Sequence, residues 1–534
     1  NIQLVTMVNE NCSELSDVAA FYQDRCVLIT GATGFMGKVL VEKLLRSCPG
    51  VKTIYLLMRP KSGSDVRARL EELLAAKLFD HIRTAQPDVV SKLHPICGDI
   101  TQPELGISPS DAKLLADEVS VVFHAAATVK FDEPLKLSIN MNVLGTKRLI
   151  KLCHKMSKLA ALVHVSTAYC NCDREEVNEV IYPPPVDPNK LIAAVEWMDE
   201  DLVDQITPKL IGNRPNTYTY TKSLAEHVLI EDSGSLPLAI VRPSIVTAAW
   251  REPVPGWVDN MNGPTGLIAG AGKGLLRSLV CYRNMVADLV PVDVPINLMI
   301  SVAWYTATVR PNSTLVYNCT SGEINPIRWG DVETNCLHYL TKSPFENVLW
   351  YPGGCFKNND VEHFFANLVY QMIPAYLMDF TALLTGRKRF MVRLHKKMTR
   401  AVSCLRYFTT HQWRFTCDNL RMLLARLSPR DRETFNFDVR DLHWPSYLEN
   451  YCGGTRKFVL KEDLKSLPAS RAHLKKLYWT KVLVNLGTIL LALRLLHRHS
   501  EHARKLWATL FSLISHFRRV PEPTPLTSHM LTTS

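Results

Sequence analysis

Thr30-Gly31-Ala32-Thr33-Gly34-Phe35-Met36-Gly37 follows the apolar run Cys26–Ile29 and precedes the helical pattern of Val39–Leu45. A short strand, a tight glycine turn and a helix N-terminus form a diphosphate cradle, because the free amides and the dipole of the first turn attract negative charge. In such a turn Gly31 permits the reversal, Gly34 lets backbone approach a pyrophosphate, and Gly37 lets the helix pack close to the sheet. The spacing is G-x-x-G-x-x-G rather than G-x-G-x-x-G, so the glycines alone decide little. Far downstream, Tyr218-Thr219-Tyr220-Thr221-Lys222 sets a phenol and an ammonium one helical turn apart. The two motifs together imply a nucleotide-dependent oxidoreductase.

Around the turn, short apolar runs at Val27–Thr30, Thr53–Leu57, Leu93–Ile96, Val121–His124, Leu162–Val165 and Leu238–Val241 alternate with helical patterns. The helical patterns cover Lys38–Ser47, Asp65–Lys77, Asn142–Lys155 and Tyr218–Glu231. This alternation predicts a doubly wound, parallel α/β sheet of the Rossmann type. Prolines and turns thicken from Arg242 to about Trp350, where substrate loops and a small lobe fit. Past Cys355 the chain becomes helical, aromatic and basic. The expected order is an N-terminal extension (1–23), a dinucleotide-binding domain with substrate lobe (24–350), a helical C-terminal domain (356–465) and a hydrophobic, basic tail (466–534).

With 534 residues, 47% hydrophobic and 21% charged, the chain is globular in composition and long enough for two or more domains. Its net charge of +11 suits a polyanionic small molecule or an anionic membrane surface, and equally a scatter of solvated lysines and arginines. No nucleic-acid motif accompanies that charge, so no nucleic-acid partner is expected. The 14 cysteines form no C-x-x-C pair and no zinc spacing, which predicts reduced thiols in a cytosol-facing protein and no metal site. No signal peptide is visible; the first methionine is Met7, which leaves a fragment and a start at Met7 both open.

Two stretches are apolar enough to test for membrane contact. Phe364–Leu384 contains Asn367, Gln371, Pro374 and Asp379, so a core or interface helix is expected there. Tyr478–Leu496 is the better membrane candidate, with Lys481 and Arg494 placed to snorkel and a second apolar run at Leu506–Ile514. Membrane association through this C-terminal tail is therefore expected, with a soluble helical pair as the alternative.

After the second strand an acidic residue would bind a ribose 2′-hydroxyl and favour NAD. Met58-Arg59-Pro60-Lys61 stands there instead; Arg59 can take a 2′-phosphate bidentately and Lys61 adds charge, which points to NADPH. Asp99, after the third strand, either accepts from the adenine amine or makes a simple Asp turn. Ala125, Ala126 and Ala127 leave room for a cofactor, and Pro243 stiffens the loop beside the nicotinamide or ends its strand. The expected cofactor contacts are thus Thr30, Gly31, Thr33, Gly34, Phe35, Gly37, Arg59, Lys61, Asp99, Ala125, Tyr218, Lys222 and Pro243.

Tyr218 is the expected general acid. A free phenol has a pKa near ~10, and the Lys222 ammonium is expected to favour its ionised form. Ser166 and Thr167 are both candidates to fix the carbonyl oxygen; Thr167 suits the direct contact and Ser166 a supporting one. Asn142 either holds backbone near the site or starts a helix, and His124 and His164 read as satisfied core histidines. Arg387–Arg414 faces CoA phosphates or headgroups, or is a solvated helix.

These segments together resemble the fatty acyl-CoA reductases of the extended short-chain dehydrogenase/reductase superfamily. The resemblance runs from about Phe21 to Lys461 and includes Thr30–Gly37, Leu56–Lys61, His164–Asn171, Asn216–Lys222, Pro255–Asn260, Asp288–Asp293, Pro374–Asp379 and Gly454–Asp463. It implies that Tyr218 and Lys222 are catalytic, that Gly31, Gly34, Gly37 and Arg59 hold NADPH, and that a helical C-terminal domain ends in a hydrophobic anchor. The implied reaction converts long-chain fatty acyl-CoA to a primary alcohol through a thiohemiacetal and an aldehyde. A sterol dehydrogenase, a nucleotide-sugar epimerase and a non-catalytic nucleotide-binding tether are the alternatives. The expected location is a membrane, with the catalytic domain facing the cytosol. The endoplasmic reticulum is favoured over the peroxisome, since Leu531–Ser534 is not the Ser-Lys-Leu address.

Overall fold

Strands of the central sheet are short and apolar because both of their faces are covered. They are β1 (Cys26–Thr30), β2 (Thr53–Met58), β3 (Leu93–Cys97), β4 (Val119–His124), β5 (Ala161–Val165), β6 (Leu238–Pro243) and β7 (Leu315–Cys319). All pair in parallel, in the order β3-β2-β1-β4-β5-β6-β7. Every residue of β1, β4, β5 and β6 is buried, as a parallel sheet under helices on both faces requires. The computed structural model describes residues 16–60, 65–353 and 355–499.

The six anticipated strands are present, with ends moved by at most two residues. The seventh, β7, lies in the stretch expected to hold only loops and a small lobe. So does helix α3, Asp293–Val309, whose Asp293 carboxylate accepts from the amides of Trp250 and Arg251, both at 2.8 Å. The sheet order reverses between β1 and β4, so their following loops diverge and open a crevice at the carboxyl edge. Two helices bring their ends to that edge: α1 (Phe35–Ser47) after β1, and α2 (Thr217–Ser233) before β6.

The helical region beyond the sheet is docked on the substrate lobe. Helix α4 (Asp360–Asn367) runs through a π-turn at Leu368–Met372 into α5 (Ile373–Leu384), and Gly386, with φ +68°, turns the chain towards α6 (Met391–Thr410). Of the two expectations for Phe364–Leu384, a core or an interface helix, the core helix is not met: most of its large apolar side chains face outward. Helix α7 (Trp444–Gly454) instead supplies the packing, with the Tyr447 hydroxyl donating to the Ala248 carbonyl at 2.8 Å. A Cβ on Gly454 would lie 1.7 Å from the Gly256 carbonyl oxygen, and one on Gly256 would lie 2.1 Å from that of Asn450. Only glycine lets these two backbones meet.

The chain divides into two compact units, Asn1–Ser470 and Arg471–Ser534. Helix α8, Leu467–His499, holds the described residues of the second. The segment Leu464–Leu495 contains an 18-residue window with a mean hydropathy of 1.2 and is long and apolar enough to cross a membrane. The apolar run at Leu506–Ile514 lies outside the described residues.

Candidate active site

Backbone fit builds the glycine turn. Gly31 has φ +77°, and a Cβ there would lie 2.7 Å from the Ala126 nitrogen. A Cβ on Gly37 would meet the Gly31 carbonyl oxygen at 2.2 Å. Gly34 is the exposed N-cap of α1, and no side chain caps that helix end. The free amides of the first turn therefore point into the crevice, the arrangement a diphosphate needs. Thr33 is half-buried in the turn. Phe35 stacks on Trp257 at 5.4 Å, and Lys38 pairs with Asp259 at 2.7 Å, so the segment Pro255–Asn260 lies against the start of α1.

Thr30 is fully buried. Its hydroxyl meets His124 Nδ1 at 2.7 Å and accepts from the Ala126 amide at 3.3 Å, so it braces the loop after β4 from beneath. The Thr146 hydroxyl donates to the Asn142 carbonyl, so it accepts from His124 Nε2 at 3.0 Å. His124 is thus satisfied and neutral, its pKa pushed down to about 3 by burial and then by Lys222. His164 is different: both of its ring nitrogens are buried without a hydrogen-bond partner, so it is not the satisfied core histidine expected. Burial, then Lys222 and His124, hold it neutral.

At the adenine end, the exposed Arg59 guanidinium lies 3.9 Å from Asp99 Oδ2. Asp99 Oδ1 accepts from the amide and hydroxyl of Thr101, each at 2.9 Å. Asp99 therefore makes the Asp turn with one oxygen and turns the other towards Arg59. Lys61 lies outside the described residues.

Tyr218 and Lys222 share one face of α2, whose N-cap Asn216 accepts from the Thr219 amide at 2.9 Å. Strand alternation separates the two hydroxyl candidates. Thr167 lies on the side of the Tyr218 phenol, while Ser166 is buried beside the Cys170 thiol. Thr167 also reaches the Pro243 carbonyl at 3.4 Å, and the Ala125 amide donates to the Thr30 carbonyl at 3.2 Å. The turn, β4, β5, β6 and α2 thus converge on one edge.

The expected electrostatic pull of Lys222 on the phenol is absent. Burial raises the Tyr218 pKa well above its ordinary value, and the Thr167 hydrogen bond offsets only part of this. Lys222 donates instead to the Val165 carbonyl at 2.7 Å. Its own pKa is pushed down to about 8 by burial, against the opposing pull of Glu226.

Several supporting residues escaped the sequence reading. Glu226 lies one turn beyond Lys222 and forms a fully buried bidentate pair with Arg242, at 2.8 and 2.7 Å. Its i,i+4 spacing from Lys222 was the available signal. Asn142, already a candidate to hold backbone near the site, sits inside a π-turn, Asn140–Leu144, rather than at a helix start. Its amide accepts from the Thr128 amide at 2.9 Å and donates to the Thr221 hydroxyl at 3.0 Å, tying the loop after β4 to α2. Phe131 stacks against Tyr218 at 6.0 Å and touches Phe408 of α6 at 5.3 Å. Tyr169 adds edge contacts to Phe408 at 5.0 Å and Trp413 at 5.2 Å. The helical region therefore furnishes one aromatic wall behind the phenol, which no local pattern reveals.

Two family models, both described as male sterility protein, match the chain: an NAD-binding model over residues 29–299 and a second over residues 370–462. Fatty acyl-CoA reductase 1 of Xenopus laevis is 48% identical over 505 residues, covering 94% of this chain and 98% of that protein. The Homo sapiens protein of the same name is 46% identical with the same coverage. Fatty acyl-CoA reductase 2 of Mus musculus is 46% identical over 94% of this chain and 99% of its own length. Among solved structures, a nonribosomal peptide synthetase reductase domain from Mycobacterium tuberculosis covers 83% of the chain and 96% of itself, with a TM-score of 0.53 at 19% identity. It shares the fold.

Proposed function

The chain belongs to the fatty acyl-CoA reductase family, and from that premise we propose that it is an NADPH-dependent, alcohol-forming reductase of long-chain fatty acyl-CoA. With that membership, the sterol dehydrogenase and epimerase readings fall away. The observation that carries the mechanism is that Tyr218, on α2, stands beside Thr167 and Phe131 at the carboxyl edge of β5, near the glycine turn. A nicotinamide dinucleotide is the cofactor, and the residues present fit one: Gly31 and Gly37 leave space that a Cβ would fill, and the first turn of α1 is uncapped. When bound it supplies the hydride.

Thr167 and Tyr218 offer two hydroxyls to the oxygen that gains charge as a thioester carbonyl is reduced. A raised phenol pKa suits this role, because Tyr218 stays protonated at neutral pH and still gives its proton readily to the far more basic alkoxide. The thiohemiacetal then loses CoA thiol, and the aldehyde meets the same pair in a second round, which would draw a second hydride from a fresh reduced dinucleotide, to give the alcohol. Lys222 serves the ribose hydroxyls, and the Glu226 carboxylate favours its charged form in the buried site. Arg59 takes the 2′-phosphate, with Lys61 adding charge. Residues 24–350 hold the chemistry, 356–465 wall the site, and the tail from 466 attaches the protein to a membrane. The catalytic domain faces the cytosol, with the endoplasmic reticulum favoured over the peroxisome.

Full-length protein given palmitoyl-CoA and NADPH should consume the reduced cofactor and yield hexadecanol by mass spectrometry. Arg59→Glu should raise the KM for NADPH far more than that for NADH. Absence of turnover across all acyl chain lengths would overturn the reading.

A further inference from the structure

A soluble domain rarely shows a large contiguous apolar face unless something covers it. Between Val361 and Phe390, fourteen large apolar residues are exposed, Phe364 at 61%, Leu377 at 58% and Leu384 at 71% among them. The opposite side of the same hairpin is anchored. Gln371 Oε1 accepts from the Arg277 amide at 2.6 Å, and His363 Nδ1 meets the Ser278 hydroxyl at 2.7 Å. The turn itself is fixed by Asp379, whose carboxylate accepts from the amides of Phe390, Met391 and Val392 at 3.0, 2.9 and 3.0 Å. A carboxylate that discouraged a lipid-facing reading is thus engaged at the start of α6. The apolar face is rigidly presented rather than frayed.

Charge says what covers it. No acidic residue occurs between Phe380 and Cys417, while Arg387, Lys388, Arg389, Arg393, Lys396 and Lys397 are all exposed. Arg387, Lys388, Arg393, Lys396 and Lys397 form no ion pair among the described residues. A second copy packed about a two-fold axis would set these cations against their own equivalents, an arrangement like charges oppose. Phosphate headgroups neutralise them while acyl chains take the apolar side chains. We propose that the α4–α5–α6 hairpin is an interfacial membrane-docking element, distinct from the C-terminal helix, that lies in the surface of an anionic bilayer.

The test uses the full chain bound to phosphatidylcholine vesicles, with and without phosphatidylserine, carrying a lipid with a photoreactive diazirine in its acyl chain. Peptide mapping should find labels within 361–384 as well as 478–495, and more in 361–384 when phosphatidylserine is present. Phe364→Ser combined with Phe380→Ser should remove the first set and leave the second. Lys396→Gln with Lys397→Gln, both exposed and so harmless to folding, should weaken the gain from phosphatidylserine roughly thirtyfold. Labels confined to 478–495 would overturn the proposal, as would a phosphatidylserine gain unchanged by the lysine pair. Cross-links joining two copies through this face, or its protection by acyl-CoA alone, would do the same. Labelling needs no turnover, so it stays readable even if the proposed reaction fails.

Discussion

The crevice at β1/β4 and the stretch 360–390 treat aromatic rings in opposite ways. In the crevice, Tyr218, Phe131, Phe408 and Tyr169 pack edge and face into one cluster, and Phe408 is 7% exposed. Some forty residues earlier in the chain, Phe365 is 58% exposed and Phe364 is 61% exposed. The difference lies in how far each apolar face is covered, and the candidate site sits at the covered one.

That contrast can be broken by substitution, beginning where the loss is greatest. Tyr218→Phe removes the proton donor and keeps the ring, so kcat/KM should fall about 100- to 10,000-fold with NADPH binding retained. A variant with full turnover would remove Tyr218 from its role. Phe408→Ala empties the buried wall and should cost about 3–5 kcal/mol in denaturant unfolding. Gly37→Ala forces a methyl onto the Gly31 carbonyl; overpacking of this kind costs about 1–3 kcal/mol, and calorimetry should show lost dinucleotide binding.

Smaller effects sharpen the same comparison. The Lys222 ammonium is lost as pH rises through about 8, so kcat/KM should decline on the alkaline side of that value. Lys222→Arg, if it binds cofactor, should move that limb out of the accessible range, since guanidinium stays charged. Phe365→Ala, on the outward face, should change unfolding free energy by no more than about 0.5 kcal/mol. A cost near that of Phe408→Ala would mean the face is covered within the protein.

Local pattern made much of this legible. Runs such as Val27–Thr30 and Leu162–Val165 declare buried parallel strands because they are short, β-branched-rich and mostly apolar. The seventh strand escaped because Leu315–Cys319 is a five-residue run that follows the polar Arg310–Thr314 in a turn-rich stretch. Helix α3 escaped because Pro295 and Asn297 fall within it, yet proline is tolerated in a first turn. Tyr218 and Lys222 were readable from spacing. The choice of Thr167 over Ser166 was not, since it depends on which way the end of β5 faces. The Phe131–Phe408 contact joins residues far apart in the chain and leaves no local trace. At Phe364–Leu384 the apolar pattern was visible but its exposure was not, because a buried core and an uncovered apolar face select the same side chains.

Two absent methyl groups, at Gly256 and Gly454, have a long reach. They bring the last helix of the catalytic unit to van der Waals distance of the loop that leans on Trp257, Phe35 and the mouth of the cofactor crevice. This seam works like a rivet through two plates: neither can slide alone. Sequence changes around residue 454, distant from any reacting atom, will therefore register as altered grip on the dinucleotide, and an assay of the front of the enzyme becomes a gauge of its back.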